Sequence, residues 1–249
     1  MNDQLWIDEI FSSIQGEGFL AGRRQIFIRL AGCNLDCIYC DSKNGTRDIC
    51  RVETKPGSGT FLDLLQPLSL VKVLEIVAEW LAILPGAHHS ISFTGGEPLL
   101  YSDILAFCIP DFRRLLPIHL ETNGVLTAEL EQVIGFTDYI SMDMKLPSTA
   151  GCTEQLWENH RQFLNIAQTC QVSVKIVVAD NTLPAEVHKV CDIISAANID
   201  TPLFIQPLTL TSGDIGISSS HLLRLQEVAS SLLQDVRVMP QMHKYLNLH

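Results

Sequence analysis

Three cysteines, Cys33, Cys37 and Cys40, fall within eight residues at C-x3-C-x2-C spacing. Three thiolates can hold three irons of a cubane [4Fe–4S] cluster and leave the fourth iron without a protein ligand. An open iron can bind a small molecule and pass it an electron; a cluster with four protein ligands mainly carries electrons. Zinc is the alternative. A structural zinc wants a closed shell of four ligands, and Cys50 could be the fourth, ten residues on. No His lies in that stretch, and the spacing does not form two paired C-x2-C knuckles.

A second motif follows one strand later, Thr94-Gly95-Gly96-Glu97-Pro98. Two glycines let backbone approach a ligand with no Cβ in the way, Pro98 fixes the exit from the loop, and Glu97 offers a carboxylate to an ammonium group. Alone, a Gly-Gly turn carries little weight. Joined to the cysteine triad it suggests an amino acid whose amine and carboxylate chelate the open iron, with the loop supporting the amine.

Together these motifs resemble the radical S-adenosylmethionine (SAM) superfamily. The resemblance implies a [4Fe–4S] cluster on Cys33, Cys37 and Cys40, bound SAM, and a 5′-deoxyadenosyl radical, with Tyr39, the aromatic before the third cysteine, near the adenine. Further runs are distinctive: Glu9 to Gly18, Phe27 to Leu35, Cys40-Asp41-Ser42, and Met239-Pro240-Gln241-Met242-His243-Lys244. This set resembles the 7-carboxy-7-deazaguanine synthase family from about Asp8 to Lys244.

That family resemblance implies ring contraction of 6-carboxy-5,6,7,8-tetrahydropterin to 7-carboxy-7-deazaguanine with loss of ammonia, in 7-deazapurine (queuosine) biosynthesis. It implies Mg²⁺ as a further cofactor, held by Ser42 where relatives usually carry Thr; both offer the oxygen that Mg²⁺ prefers. It assigns Ile14, Gln15, Gly16, Arg29 and Thr94 to the pterin, with Pro240 closing its pocket. Arg29 is expected to grip the substrate carboxylate as a fork. Tyr39, Cys40, Asp41, Gly96, Glu97, Ser141, Asp143, Lys145 and Gln206 are assigned to SAM. The implied partners are the small-molecule pterin, a reductant such as flavodoxin or ferredoxin, and a second copy in a homodimer. A glycyl-radical activating enzyme, acting on a protein, and a zinc-stabilised binding module are the rival readings.

These residues need a frame. Short β-type runs alternate with helical periodicity: strands over Ile26–Leu30, Ser90–Phe93, Ile118–Thr122, Tyr139–Lys145, Val172–Val178, Leu203–Gln206 and a last run Val236–Met239. Helices are predicted over Ser69–Leu84, with Ser69 as cap, from Pro98 with an interruption near Pro110, then Thr127–Ile134, Glu154–Thr169, Pro184–Ala197 and Ser220–Leu233. Strands alternating with helices give βαβ units and a parallel sheet. At least five strands carry polar residues on one face, among them His119, Glu121, Ser141, Asp143, Ser173 and Lys175. A parallel strand covered on both faces should be apolar throughout. The reading is therefore an α/β partial (βα)6 TIM-type barrel, helices outside, polar lumen inside, with function at the C-terminal strand ends. The whole chain, 1–249, reads as one domain. Its first strand, near Trp6–Ile10, is expected at the edge, and residues 43–67 as an irregular insertion.

Composition sets outer limits. Hydrophobic residues make up 47% and charged residues 18% of the 249 positions, which indicates a filled core, not disorder. A net charge of -11 argues against nucleic-acid backbone binding. The N-terminus has no basic segment followed by an apolar one, and the apolar run Leu70–Leu84 is broken by Lys72, Glu75 and Glu79. A soluble, cytoplasmic protein without membrane partners is expected, in which the eight cysteines form no disulfide framework. Cys50, Cys108, Cys152, Cys170 and Cys191 read as buried or incidental thiols. His88, His89, His243 and Lys244 are expected at the surface.

Overall fold

The computed structural model describes residues 4–40, 48–152 and 156–248. Twelve strands are present among them: β1 (Gln4–Leu5), β2 (Ile7–Ile14), β3 (Arg24–Leu30), β4 (Ile49–Glu53), β5 (Phe61–Leu65), β6 (Leu68–Ser69), β7 (Ser90–Gly95), β8 (Ile118–Thr122), β9 (Tyr139–Asp143), β10 (Gln171–Val178), β11 (Leu203–Pro207) and β12 (Val236–Val238). Ten form one sheet in the order β12-β11-β10-β9-β8-β7-β3-β2-β4-β5, while β1 and β6 pair separately. From β3 through β12 the neighbouring strands are parallel. Six crossover helices link them: α1 (Leu70–Ile83), α2 (Ser102–Arg113), α3 (Thr127–Val133), α5 (Leu156–Ala167), α6 (Pro184–Ala197) and α7 (Ser219–Ser230), with the short α4 (Pro147–Ala150) before α5 and α8 (Met242–Tyr245) at the end.

Alternation along the strands explains the layering. Ile26, Ile28, Leu30, Ile91, Phe93, Ile118, Leu120, Ile140, Met142, Val174, Ile176, Leu203 and Ile205 all belong to the buried hydrophobic core. From α2 to α7 the crossover helices pack each against the next along the sheet. The alternate residues, Arg29, Thr94, Glu121, Ser141, Asp143, Lys175 and Gln206, line one cavity. Period-two alternation therefore produces an apolar helix-facing side and a polar lumen. The sheet is open, with β5 and β12 at its edges and no closed barrel.

Three expectations about elements are corrected. The strand expected near Trp6–Ile10, β2, is not at the edge: it lies between β3, to which it is antiparallel, and β4, to which it is parallel. Part of the 43–67 segment is regular, since β4 and β5 form an antiparallel hairpin that extends the sheet. Residues 41–47 lie outside the described residues. Helix α2 runs through Pro110 without interruption. A proline inside a helix costs about 3 kcal/mol. Its face buries Leu105, Cys108, Ile109 and Phe112, and each such side chain contributes about 1.5–3 kcal/mol, enough to offset the lost hydrogen bond. The cap of α1 forms as expected: the Ser69 hydroxyl accepts from the Lys72 amide at 3.3 Å.

Candidate functional site

The cysteine loop leaves β3 at its C-terminal end and is held by backbone from the loop after β7 and from α4. The Gly96 amide donates to the Leu30 carbonyl at 3.1 Å, the Glu97 amide to the Gly32 carbonyl at 2.8 Å, and the Ile38 amide to the Ala150 carbonyl at 3.1 Å. The two glycines of the second motif are required here. A Cβ on Gly95 would lie 2.1 Å from the Leu30 carbonyl oxygen, and one on Gly96 would lie 1.9 Å from that of Gly32. Their missing side chains let the β7 loop dock against the cysteine loop, so their first partner is backbone.

Glu97 is fully buried and does not line the cavity. Its carboxylate accepts from the Leu99 amide at 3.0 Å, the Thr122 hydroxyl at 2.9 Å and the Asn123 amide at 2.8 Å. It ties the end of β7 to the end of β8, and does not face a ligand amine as the sequence suggested. Burial pushes its carboxyl up to about 7, against the pull of those donors. Glu97→Gln sets an amide hydrogen against donors that need an acceptor. A loss of about 1–3 kcal/mol is expected in denaturant unfolding, together with weaker iron uptake; unchanged stability and iron content would exclude this tethering role.

All three thiols of the triad line the cavity, with Thr94, Gly95 and Gly96 beside them. Asn123 reaches across to the same loop, its Nδ2 donating to Asn34 Oδ1 at 2.7 Å and lying 3.8 Å from Cys33 Sγ. The Leu35 amide also points at Cys33 Sγ, 3.4 Å away. Such N–H donors favour thiolate, although burial raises the Cys33 thiol. Burial pushes Cys37 up to about 12, with the Lys145 ammonium pulling the other way and Cys152 beside it. Cys152 does not line the cavity. Cys50 is fully buried in β4 and away from the cavity, so it is not the fourth ligand of a zinc site built on this triad. Among the described residues no three His, Cys, Asp or Glu side chains gather around one metal ion; a cubane asks each thiolate to reach a different iron. The donor set fits a cluster with three protein ligands.

Deeper in the lumen stands a chain of charges whose side chains are only 12% to 18% exposed. Asp143 and Lys175 are register neighbours on β9 and β10, which places opposite charges side by side on one face. One oxygen of Asp143 meets Lys145 Nζ and Lys175 Nζ, each at 2.9 Å. Lys175 also pairs with Glu17, and Lys145 donates to the Tyr39 hydroxyl at 3.2 Å. Burial opposes the charge on Asp143, but the two ammonium groups outweigh it and hold its carboxyl at about 2. The other Asp143 oxygen, Oδ1, is buried without a hydrogen-bond partner, as is Asn123 Oδ1. Both residues line the cavity, and these acceptors suit a ligand's hydroxyl or ammonium hydrogens.

The remaining sequence-derived candidates divide. Ile14, Gln15, Gly16, Arg29, Tyr39, Cys40, Ser141, Lys145 and Gln206 line the same cavity. Arg29 pairs with Glu9, Nε to Oε2 at 3.4 Å, and sits over the Phe11 ring, 5.5 Å from its centre. Pro240 does not line the cavity; its neighbours Gln241, His243 and Lys244 do. Asp41 and Ser42 lie outside the described residues. The expectation that His243 and Lys244 sit away from the site is corrected, since both line the cavity, although Lys244 is exposed as expected. The Met242 amide donates to the Gly16 carbonyl at 3.0 Å, and Gln241 Nε2 donates to Glu17 Oε1 at 2.8 Å. A Cβ on Gly16 would lie 2.2 Å from the His243 ring. His88 is likewise not solvated: it is buried, with Nε2 2.9 Å from the Ser12 hydroxyl. Glu17, Lys175, Phe11 and Phe27 were absent from the candidate set yet line the cavity. Polar alternation along β10 signals Lys175; the pairing of Glu17 with Gln241, 224 residues apart, leaves no local signal.

Comparison with known proteins places this geometry. The Radical SAM superfamily model matches residues 27–173, which include the cysteine triad and the glycine loop. A 7-carboxy-7-deazaguanine synthase from Geobacter sulfurreducens is 48% identical over 241 residues, covering 96% of each chain. One from Methanothermobacter thermautotrophicus is 35% identical over 262 residues, covering 97% of each. The crystal structure of QueE from Escherichia coli superposes with a TM-score of 0.56 at 17% identity, covering 96% of this chain and 95% of that one, which bears on the fold alone. The chain belongs to the 7-carboxy-7-deazaguanine synthase family of the radical SAM superfamily.

Proposed function

We propose that the chain converts 6-carboxy-5,6,7,8-tetrahydropterin to 7-carboxy-7-deazaguanine with release of ammonia, as a step of 7-deazapurine biosynthesis. The observation that carries this reading is the near full-length identity to 7-carboxy-7-deazaguanine synthases, with three thiols and the family-assigned residues Gln15, Arg29 and Thr94 lining one cavity. Cys33, Cys37 and Cys40 would hold a [4Fe–4S] cluster, Tyr39, Gly96, Ser141, Asp143, Lys145 and Gln206 would border SAM, and Ser42 would hold Mg²⁺. When bound, the cluster and SAM together supply the 5′-deoxyadenosyl radical, and Mg²⁺ supplies an electrophilic anchor for substrate oxygen.

The chain's own residues bind, orient and exclude water. The Arg29 guanidinium, fixed by Glu9 and Phe11, presents a fork for the substrate carboxylate. The Asp143 Oδ1 acceptor is held in place by the two lysines on the opposite oxygen. The segment Gln241–Lys244, bonded to Gly16 and Glu17, covers the cavity and limits solvent at the reacting atoms. A reductant such as flavodoxin or ferredoxin, a homodimeric state and a cytoplasmic setting belong to the same proposal. In support of the last, no helix among the described residues is long and apolar enough to cross a membrane. The continuous ten-stranded sheet, which takes in the β4–β5 hairpin, supports one domain over 1–249.

Anaerobic incubation with SAM, reductant, Mg²⁺ and the tetrahydropterin should give a ring-contracted product with a changed ultraviolet spectrum and one equivalent of ammonia. Turnover that requires a protein substrate would replace this reading with the activating-enzyme one. Ser42→Ala is expected to raise the Mg²⁺ concentration needed for half-maximal rate by about tenfold, the equivalent of one lost ligand interaction near 1.4 kcal/mol; an unchanged Mg²⁺ titration would remove Ser42 from the metal's shell.

A further inference from the structure

Beneath the cavity a row of hydrogen-bonded side chains is centred on His119, which is fully buried on β8. Its Nε2 lies 2.9 Å from Ser141 Oγ. Its Nδ1 lies 3.2 Å from Gln25 Nε2. Gln25 Nε2 also donates to Ser90 Oγ at 2.6 Å, and Gln25 Oε1 accepts from Gln15 Nε2 at 3.0 Å. Gln15 Oε1 in turn accepts from the Glu17 amide at 3.1 Å.

With the Gln25 amide oxygen turned to Gln15, the direction of each bond along the row follows. The two amide hydrogens of Gln25 go to Ser90 and His119, so His119 Nδ1 must accept. Burial holds the ring well below the ordinary histidine range, at about 3, and therefore neutral. The one ring proton is then on Nε2, donating to Ser141. With one of its lone pairs taken by the His119 N–H, the Ser141 hydroxyl keeps its own hydrogen for an acceptor in the cavity that Ser141 lines. On the other arm, Gln25 holds the Gln15 amide with its NH2 toward the floor. There it also bonds the Glu121 carboxylate, which accepts from Ser92 at 2.6 Å. The alternative direction, from His119 Nδ1 to Gln25 Oε1, is longer at 3.4 Å and competes with Gln15 for the same oxygen.

We propose that His119 is a positioning residue that sets hydrogen-bond polarity in both halves of the cavity: through Ser141 for the nucleoside, and through Gln25 and Gln15 for the pterin. The assignment of the two arms rests on the proposed function above. His119 touches neither ligand and acts only through these neighbours.

Two conservative variants separate the arms. The amide of asparagine reaches the place of Nδ1 and can accept from Gln25, but not the place of Nε2; the amide of glutamine reaches the place of Nε2 and can donate to Ser141. In anaerobically reconstituted enzyme, His119→Asn should weaken SAM binding, measured calorimetrically, by about three- to tenfold, the worth of one net hydrogen bond, and leave the pterin KM within about twofold. His119→Gln should show the reverse, and His119→Phe should show both losses. A general loss of fit would move both constants together in every variant, so equal behaviour of the Asn and Gln variants overturns the proposal, as does an unchanged pair of constants in His119→Phe. SAM affinity is read without turnover. A wild-type enzyme that binds SAM but does not convert the pterin would sink the proposed substrate and the Gln25 arm with it, while the His119→Asn binding result alone decides the Ser141 arm.

Discussion

Cys37→Ala should reduce iron incorporation and 5′-deoxyadenosine formation to background. The variant keeps two thiols on the cavity, Cys33 and Cys40, and two thiolates leave two irons of a cubane without protein ligands. Cys152 neighbours Cys37 but does not line the cavity, so it is not expected to take over. Because Cys37 sits on a loop held by backbone bonds at Gly32 and Ile38, the alanine should leave the fold intact, and circular dichroism should match the parent. Retained cleavage of SAM in Cys37→Ala would refute the assignment of this thiol to the cluster.

Asp143→Asn carries the second large effect, on stability. Both lysines that flank Asp143 are largely covered, at 12% and 15% side-chain exposure. In the variant Lys175 retains Glu17, while Lys145 retains the Tyr39 hydroxyl. Breaking a buried pair on one side costs about 3–5 kcal/mol, because a charge is left without compensation. Denaturant unfolding at pH 7 should show a loss of that size. The pH dependence follows from the sign of the shift. The folded-state carboxyl is held at about 2 against an ordinary 3.8, so the unfolded chain takes up the proton first as pH falls. The stabilisation is complete above the ordinary value and disappears as pH falls through about 2. Between pH 4 and pH 2 the difference between wild type and Asp143→Asn should therefore shrink, measured on iron-free chain. Equal stability at pH 7 would contradict the network's role.

The sequence carried the parallel half of the sheet because β7 to β11 are each followed by a helix and β7 to β10 alternate polar with apolar residues. The same alternation that marks Ser141 and Asp143 as one face marks Met142 as the other, and the structure puts Met142 in the core and the polar pair on the cavity. Where the frame was misread, tertiary contacts decided. β2 reads as an edge because nothing in Ile7–Ile14 announces that a distant hairpin will cover it. That hairpin is obscured by Pro56, Gly57 and Gly59 in its turn, although Glu53 organises it by accepting from the Gly57 amide at 2.9 Å and the Gly59 amide at 2.6 Å.

The site divides in the same way. The thiols and glycines are legible because their spacing is local. The reason for the glycines was legible only in part: freedom from a Cβ was read as room for a ligand, whereas the structure uses it to bring two loops together. Glu97 was read as a ligand group because its position beside two glycines is all that sequence shows; its burial under Thr122 and Asn123 depends on how β8 lies against β7. His243 and Gln241 were missed because their partners, Gly16 and Glu17, lie at the other end of the chain.

The proposed chemistry stands on a cluster with one iron left open for SAM. The direct measurement is iron content with Mössbauer and electron paramagnetic resonance spectra of protein reconstituted without oxygen, before and after SAM is added. The expected result is about four irons per chain, one of them distinct, with the spectrum of the reduced cluster changing on addition of SAM. A preparation that holds zinc and no iron, or a cluster whose spectra ignore SAM because all four irons have protein ligands, would contradict it.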